Sequence, residues 1–225
     1  MIFDPLFLAL TIPALLFSLW AQFKVKSTFH RFAKVGVRSG MTGAEAAAAV
    51  VRAGGLDGVT IERHQGFLSD HYDPRTKTLR LSPQVYDGRS VSSIAVAAHE
   101  AGHSIQDAVG YAPLVLRSAL VPVTNIGQSL WFWPFLLGMI LNMQPLVWLA
   151  VILFAAVVVF QLVTLPTEFN ASNRAKAVLV STGIVSTQEE AVGVGKVLDA
   201  AAMTYVAALV ASLMQLLYLI MRARD

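Results

Sequence analysis

Residues 145–165 read PLVWLAVILFAAVVVFQLVTL, a run without one charged side chain. A helix needs about 20 largely apolar residues to cross about 30 Å of hydrocarbon, so this run is long enough to span a bilayer. Three further stretches resemble it. Residues 5–23 carry no charge and stop at Lys24 and Lys26. Residues 118–141 are also uncharged, but Pro122, Asn125, Gln128 and Pro134 make this span irregular and kinked. Residues 200–221, AAAMTYVAALVASLMQLLYLIM, precede Arg222 and Arg224. Of the 225 residues 56% are hydrophobic and 14% charged, which excludes a disordered chain and sets this one apart from ordinary soluble domains. Asp4, and the lack of Lys or Arg before the first run, argue for a retained anchor rather than a cleaved signal peptide.

Net charge is +3, with no block of like charge and no basic-aromatic interleaving, so a nucleic-acid partner is not expected. The absence of cysteine excludes disulfides, thiolate metal sites and cysteine nucleophiles. The basic residues speak instead to topology. Lys24, Lys26, Arg31, Lys34 and Arg38 crowd the exit of the first span, whereas residues 1–4 and 142–144 carry none. By the positive-inside rule the water-facing part is expected in the cytoplasm, although Arg222 and Arg224 at the opposite end argue the other way.

Between the first two spans the pattern changes. Thr42 and Glu45 form a capping-box pattern before an alanine-rich helix at 43–53, closed by Gly54-Gly55. Residues 57–82 alternate like two or three short strands of a small antiparallel sheet, with a turn at Asp73-Pro74. Residues 90–111 form a further helix with Ser90 as N-cap and Gly110 and Pro113 as its end. Later in the chain, LPTEFNASNRAKAVL predicts a helix starting near Pro166 or Thr167. Ser186 to Glu189 reads as a second capping box opening a helix that runs into the last span, with Lys196 and Asp199 paired just before it.

The helix at 90–111 contains His99-Glu100-Ala101-Gly102-His103. Two histidines four apart share one helix face and so can bind a single Zn²⁺. Glu100, turned by about 100°, is placed as a base for water rather than as a ligand. Gly102 costs about 1 kcal/mol in mid-helix and fits a place where another backbone or a substrate comes close. A third protein ligand is still needed. Asp107 is too near along the helix. His30, His64 and His71 are candidates, and Glu168 is the better one, since two spans return the chain to the same side of the membrane before it.

DHYDPRTKTLRLSPQVY, HEAGHSIQDA and LPTEFNASNRA occur in this order, the last after a pair of apolar segments. In this the chain resembles the bacterial membrane metallopeptidases of the YugP-like neutral zinc metallopeptidase family, over nearly its whole length. The resemblance implies His99, His103 and Glu168 as ligands of one zinc ion and Glu100 as catalytic base. It is also similar, more widely, to gluzincins such as the HtpX-like membrane proteases, whose third-ligand helix carries an aspartate four residues after the glutamate. Here that position is Ser172, which can still hydrogen-bond a ligand histidine but brings no charge. Asp107 or Asp70 would have to supply a carboxylate there.

The expected fold is a mainly α integral membrane protein of about four transmembrane helices with a small α+β gluzincin-like part. Its segments are an anchor (1–23), a cytoplasmic catalytic part (24–111), two spans (112–165), a third-ligand segment (166–199) and a last span (200–225). The expected function is zinc-dependent hydrolysis of peptide bonds in proteins or peptides near the surface of a bacterial-type inner membrane, with a homo-oligomer or membrane partner left open. Arg174, His71 and Tyr72 are candidates for stabilising the transition state. Thr78, Leu79, Arg80 and Leu81 are read as an edge strand for an extended substrate. Two other readings are carried: a non-catalytic membrane scaffold with a structural or absent metal, and an intramembrane protease. The second rests on Leu56-Asp57-Gly58, which precedes the HExxH motif and lies in a polar loop.

Overall fold

The computed structural model describes residues 4–67 and 69–224. Helix α1 (Pro5–Phe32) is followed by α2 (Gly43–Ala53), strands β1 (Thr60–Arg63), β2 (His71–Asp73) and β3 (Thr78–Leu81), and a single turn α3 (Pro83–Tyr86). Helices α4 (Val91–Ala108), α5 (Ala112–Leu130), α6 (Phe132–Leu141), α7 (Gln144–Ser181) and α8 (Gln188–Arg224) complete the chain. The protein is thus mainly helical with a small mixed α+β region. Among the described residues three helices, α1, α7 and α8, are long and apolar enough to cross a membrane, or up to four if a bent helix pair counts as one span. Residues 1–3 and 225, at the outer ends of the expected first and last segments, lie outside the described residues.

The chain forms two compact units. One comprises Met1–Gln22, Pro113–Pro166 and Met203–Asp225; the other Phe23–Ala112 and Thr167–Ala202. In the first, Phe135, Val151, Phe154 and Val158 pack with Tyr218 and Leu219, and Leu6, Phe7 and Leu10 close over them. Glycines let its helices approach: a Cβ on Gly127 would stand 2.3 Å from the Leu153 carbonyl oxygen. The Asp4 carboxylate accepts from Tyr218 Oη at 3.0 Å and from the Arg222 guanidinium, so the start of α1 meets the end of α8. Gln144 Nε2 donates to the Ala223 carbonyl at 2.9 Å, bringing the start of α7 to the same end.

The expected span at 118–141 is not one uniform helix and is not among the three apolar ones. It divides at Trp131 into α5 and α6, with Pro122 inside α5 and Pro134 in the first turn of α6, where its missing N–H costs least. The expected helix start at Pro166 is also absent. Pro166 lies inside the continuous α7 and removes one intrahelical bond without ending the helix.

The second unit is built on a core of Val50, Leu79, Leu81, Ile94, Ala98 and Leu198, all of them buried. The capping box of α2 forms as the sequence requires: Glu45 N donates to Thr42 Oγ1 (3.1 Å) and Thr42 N to the Glu45 carboxylate (2.7 Å). Ser90 caps α4, and Gly110 after it takes φ +61°, where a Cβ would be strained. The sheet differs from the expected antiparallel one. Its order is β1-β3-β2, with β1 parallel and β2 antiparallel to β3. Thr78, Leu79, Arg80 and Leu81 therefore form the central strand and offer no free edge. Leu79 and Leu81 are fully buried, and Arg80 pairs with Asp73 on β2 and Glu62 on β1.

Two local expectations shift near α8. The capping box is Thr187 with Glu190, one residue on from Ser186 and Glu189: Glu190 N donates to Thr187 Oγ1 and Thr187 N to the Glu190 carboxylate. Asp199 pairs with Lys176 of α7 at 2.7 Å rather than with Lys196.

Candidate metal centre

Helix α4 presents His99 and His103 one turn apart, their rings edge to face with centroids 4.8 Å apart. Glu168 comes from α7, and Gly102 sets how closely the two helices approach. A Cβ at Gly102 would stand 2.8 Å from the main-chain oxygen of Ala171. The close backbone approach expected at this glycine is therefore made by α7.

At that crossing Glu168 Oε2 lies 3.1 Å from His99 Nε2 and 3.5 Å from His103 Nε2. The three donor atoms fall within 4.8 Å of one another, and Glu168 is 1% exposed. Two donors each about 2.0–2.1 Å from one tetrahedral ion stand roughly 3.3 Å apart, so the spacings suit a shared ion. Two imidazoles and one carboxylate are also the donor types of an open zinc site with three protein ligands. The electrostatics agree. Burial opposes charge on Glu168, but hydrogen bonds from His103 and His99 hold its carboxyl well below the usual glutamate range. For His103 burial acts to lower the pKa, but Glu168 outweighs it and the net shift is upward.

The far side of each imidazole is held by a neutral group. His99 Nδ1 is 3.1 Å from Ser172 Oγ. His103 Nδ1 is 2.9 Å from Gln106 Oε1. Gln106, fully buried, donates from Nε2 to the Thr167 carbonyl (2.8 Å) and to Asn170 Oδ1 (3.0 Å). A main-chain carbonyl only accepts, so the amide must turn its NH₂ toward Thr167. Its oxygen then accepts from Nδ1–H of His103, which leaves Nε2 to face Glu168, as a donor while the imidazole is protonated and as a lone pair for a metal ion when it is neutral. Sequence reading missed Gln106 and Asn170. The spacing of His103 and Gln106 along α4 was the only signal available.

Asp107 and Asp70, the two carboxylates considered for this role, are engaged elsewhere. Asp107 accepts from Tyr72 Oη at 2.8 Å, and Asp70 from Ser82 N and Oγ. Burial and then the bond to Asp107 push the Tyr72 hydroxyl pKa up, so it stays protonated and tied to α4. Burial, with Glu100 as a nearby like charge, outweighs the Ser82 bonds and raises the Asp70 pKa. Of the other candidates, Arg174 Nε donates to Asn170 Oδ1 at 2.7 Å, and His71, exposed on β2, hydrogen-bonds the Ser69 carbonyl and stands against His64.

Comparison with known proteins gives the family. Residues 7–224 match the family model described as "Putative neutral zinc metallopeptidase". The chain is 51% identical, over 216 residues and 96% of each chain, to a Bacillus subtilis (strain 168) protein described as "Putative membrane protease YugP". No solved structure matches. With its HExxH helix and a buried glutamate brought to both histidines, the chain belongs to the bacterial YugP-like neutral zinc metallopeptidase family.

Proposed function

We propose that this membrane protein is a zinc-dependent endopeptidase in which His99, His103 and Glu168 hold one ion and Glu100 is the base. The observation that carries the reading is the convergence of two Nε2 atoms on one carboxylate oxygen from a helix more than sixty residues away. Zinc in such a donor set supplies Lewis acidity at one open coordination position.

The protein groups do the rest. Glu100 follows His99 by one residue and is turned from the ligand face by about 100°. Its carboxylate takes a proton from the water that attacks the peptide carbonyl. It then delivers that proton to the leaving nitrogen as the C–N bond breaks, so no covalent enzyme intermediate is needed. Gln106 and Ser172 keep the two imidazoles oriented. The family membership and the apolar helices support protein or peptide substrates close to a bilayer.

The basic residues from Lys24 to Arg38 support a cytoplasmic site, since they outnumber Arg222 and Arg224 at the other end of the chain.

Casein cleavage by detergent-purified protein tests the activity. Wild type should cleave, and Glu100→Gln should keep its zinc while losing at least a hundredfold in rate. Equal rates for the two proteins, or stoichiometric zinc with no cleavage that Glu100→Gln abolishes, would support the scaffold instead.

A further inference from the structure

A second feature of the Phe23–Ala112 portion takes no part in peptide hydrolysis. A cavity of about 530 Å³ opens beside the end of α1, lined by His30, Lys34 and Arg89 together with Phe29, Ala33 and Ser93. Among the described residues no carboxylate lines it. Arg89 is held in place, donating to the Gly40 carbonyl with Glu45 3.9 Å away. Lys34 is exposed and has no ion-pair partner among the described residues. His30 is anchored through Nδ1 on the Lys26 carbonyl at 2.7 Å, which leaves Nε2 as its outward-facing nitrogen. Lys34 and Arg89 outnumber the one nearby carboxylate, Glu45, and give the hollow a positive potential.

The surroundings select among anions. Lys26 and His30 are four apart on α1, and Lys34 follows just past the helix end. Basic groups thus lead from Lys24, where the uncharged run 5–23 stops, to the cavity. The same place carries apolar surface. Phe67 is 45% exposed and packs on Phe29 and His30 with ring centroids 5.8 and 5.5 Å away, and Phe23, two turns back, is 71% exposed. A small inorganic anion has no use for phenyl rings. An amphiphile that joins a phosphate to apolar carbon matches both halves of the site.

We propose that this cavity binds the phosphate of an anionic phospholipid between Lys34 and Arg89, with the glycerol and upper acyl carbons against Phe29 and Ala33. The lipid would anchor the end of α1 at a defined point, beyond the diffuse attraction of a basic collar for an anionic leaflet. This binding does not depend on the proposed zinc site.

The experiment uses the full chain in dodecyl maltoside micelles doped with fluorescent phosphatidylglycerol or phosphatidylcholine, with inorganic phosphate as competitor. Wild type should retain phosphatidylglycerol over phosphatidylcholine, and millimolar phosphate should displace little of it. Lys34→Gln should weaken retention about fivefold and Lys34→Glu about 25-fold, taking one unit of charge as roughly a factor of five. Lys24→Gln, on the same helix but outside the cavity, should change it by less than about twofold. Equal weakening by Lys24→Gln and Lys34→Gln would show a diffuse collar and overturn the site. So would unchanged retention in Lys34→Glu. Complete displacement by inorganic phosphate would mark a soluble-anion site and overturn the lipid assignment. The exposed, unpaired Lys34 makes both of its variants compatible with the fold, and equal melting temperatures verify this.

Discussion

His103 turns its Nδ1–H to the side-chain oxygen of Gln106, whose amide nitrogen is itself fixed by the Thr167 carbonyl and Asn170. Groups that orient a ligand histidine typically contribute 10–100-fold to metal affinity. Gln106→Leu should therefore weaken zinc binding by about that factor in a chelator competition, while Glu100→Gln leaves affinity within about threefold of wild type. Equal affinity of Gln106→Leu and wild type would remove Gln106 from the centre.

The Gly102 contact gives a second prediction. A methyl group there meets the Ala171 oxygen at 2.8 Å, a backbone atom that cannot swing away. Gly102→Ala should gain helix propensity, yet lose stability by about 1–3 kcal/mol through overpacking, and bind zinc more weakly because α7 is pushed from α4. A higher melting temperature with full zinc affinity would contradict the close approach.

Glu190 predicts a pH dependence separate from the metal. Burial opposes its charge, but the backbone N–H groups of Arg38, Ser186 and Thr187 outweigh that and hold its pKa below the usual 4.5. The group is more acidic folded than unfolded. Its contribution is therefore full above pH 4.5 and is lost as the pH falls through the lower folded value. Glu190→Gln should lower the melting temperature at pH 7, and the gap from wild type should narrow toward pH 3. A gap that stays constant with pH would show that the carboxylate charge has no part.

The pairing of Asp4 with Arg222 brings the start of α1 to the end of α8, which predicts an even number of crossings. Four spans satisfy this and three do not. Reporters fused to the N- and C-termini should give the same sidedness, outside the cytoplasm. Opposite signals would refute the even count.

Much of this was legible in the sequence. The uncharged runs marked the apolar helices, the Thr42 and Ser90 caps fixed α2 and α4, and HEAGH set two histidines on one face. Glu168 was one candidate among several, favoured because two apolar runs separate it from His103. What the sequence hid depends on packing between distant elements. Alternation in residues 57–82 identifies strands but not their order, so it does not show that β3 is the central strand. Pro166 signals a helix start by local rules, yet α7 continues through it, because a first-turn preference does not forbid a proline farther in. Gln106 and Asn170 are ordinary polar residues until α7 is laid on α4. Lys196 was assigned to Asp199 by nearness in sequence, while Lys176 reaches it from another helix.

The most direct measurement is the zinc content of wild type beside Glu168→Ala, both purified in detergent and dialysed against excess metal-free buffer. One zinc per chain in wild type, with a loss of at least tenfold in Glu168→Ala and in His99→Ala, is the expected result. Stoichiometric zinc retained by Glu168→Ala would contradict the centre, whatever activity the protein shows.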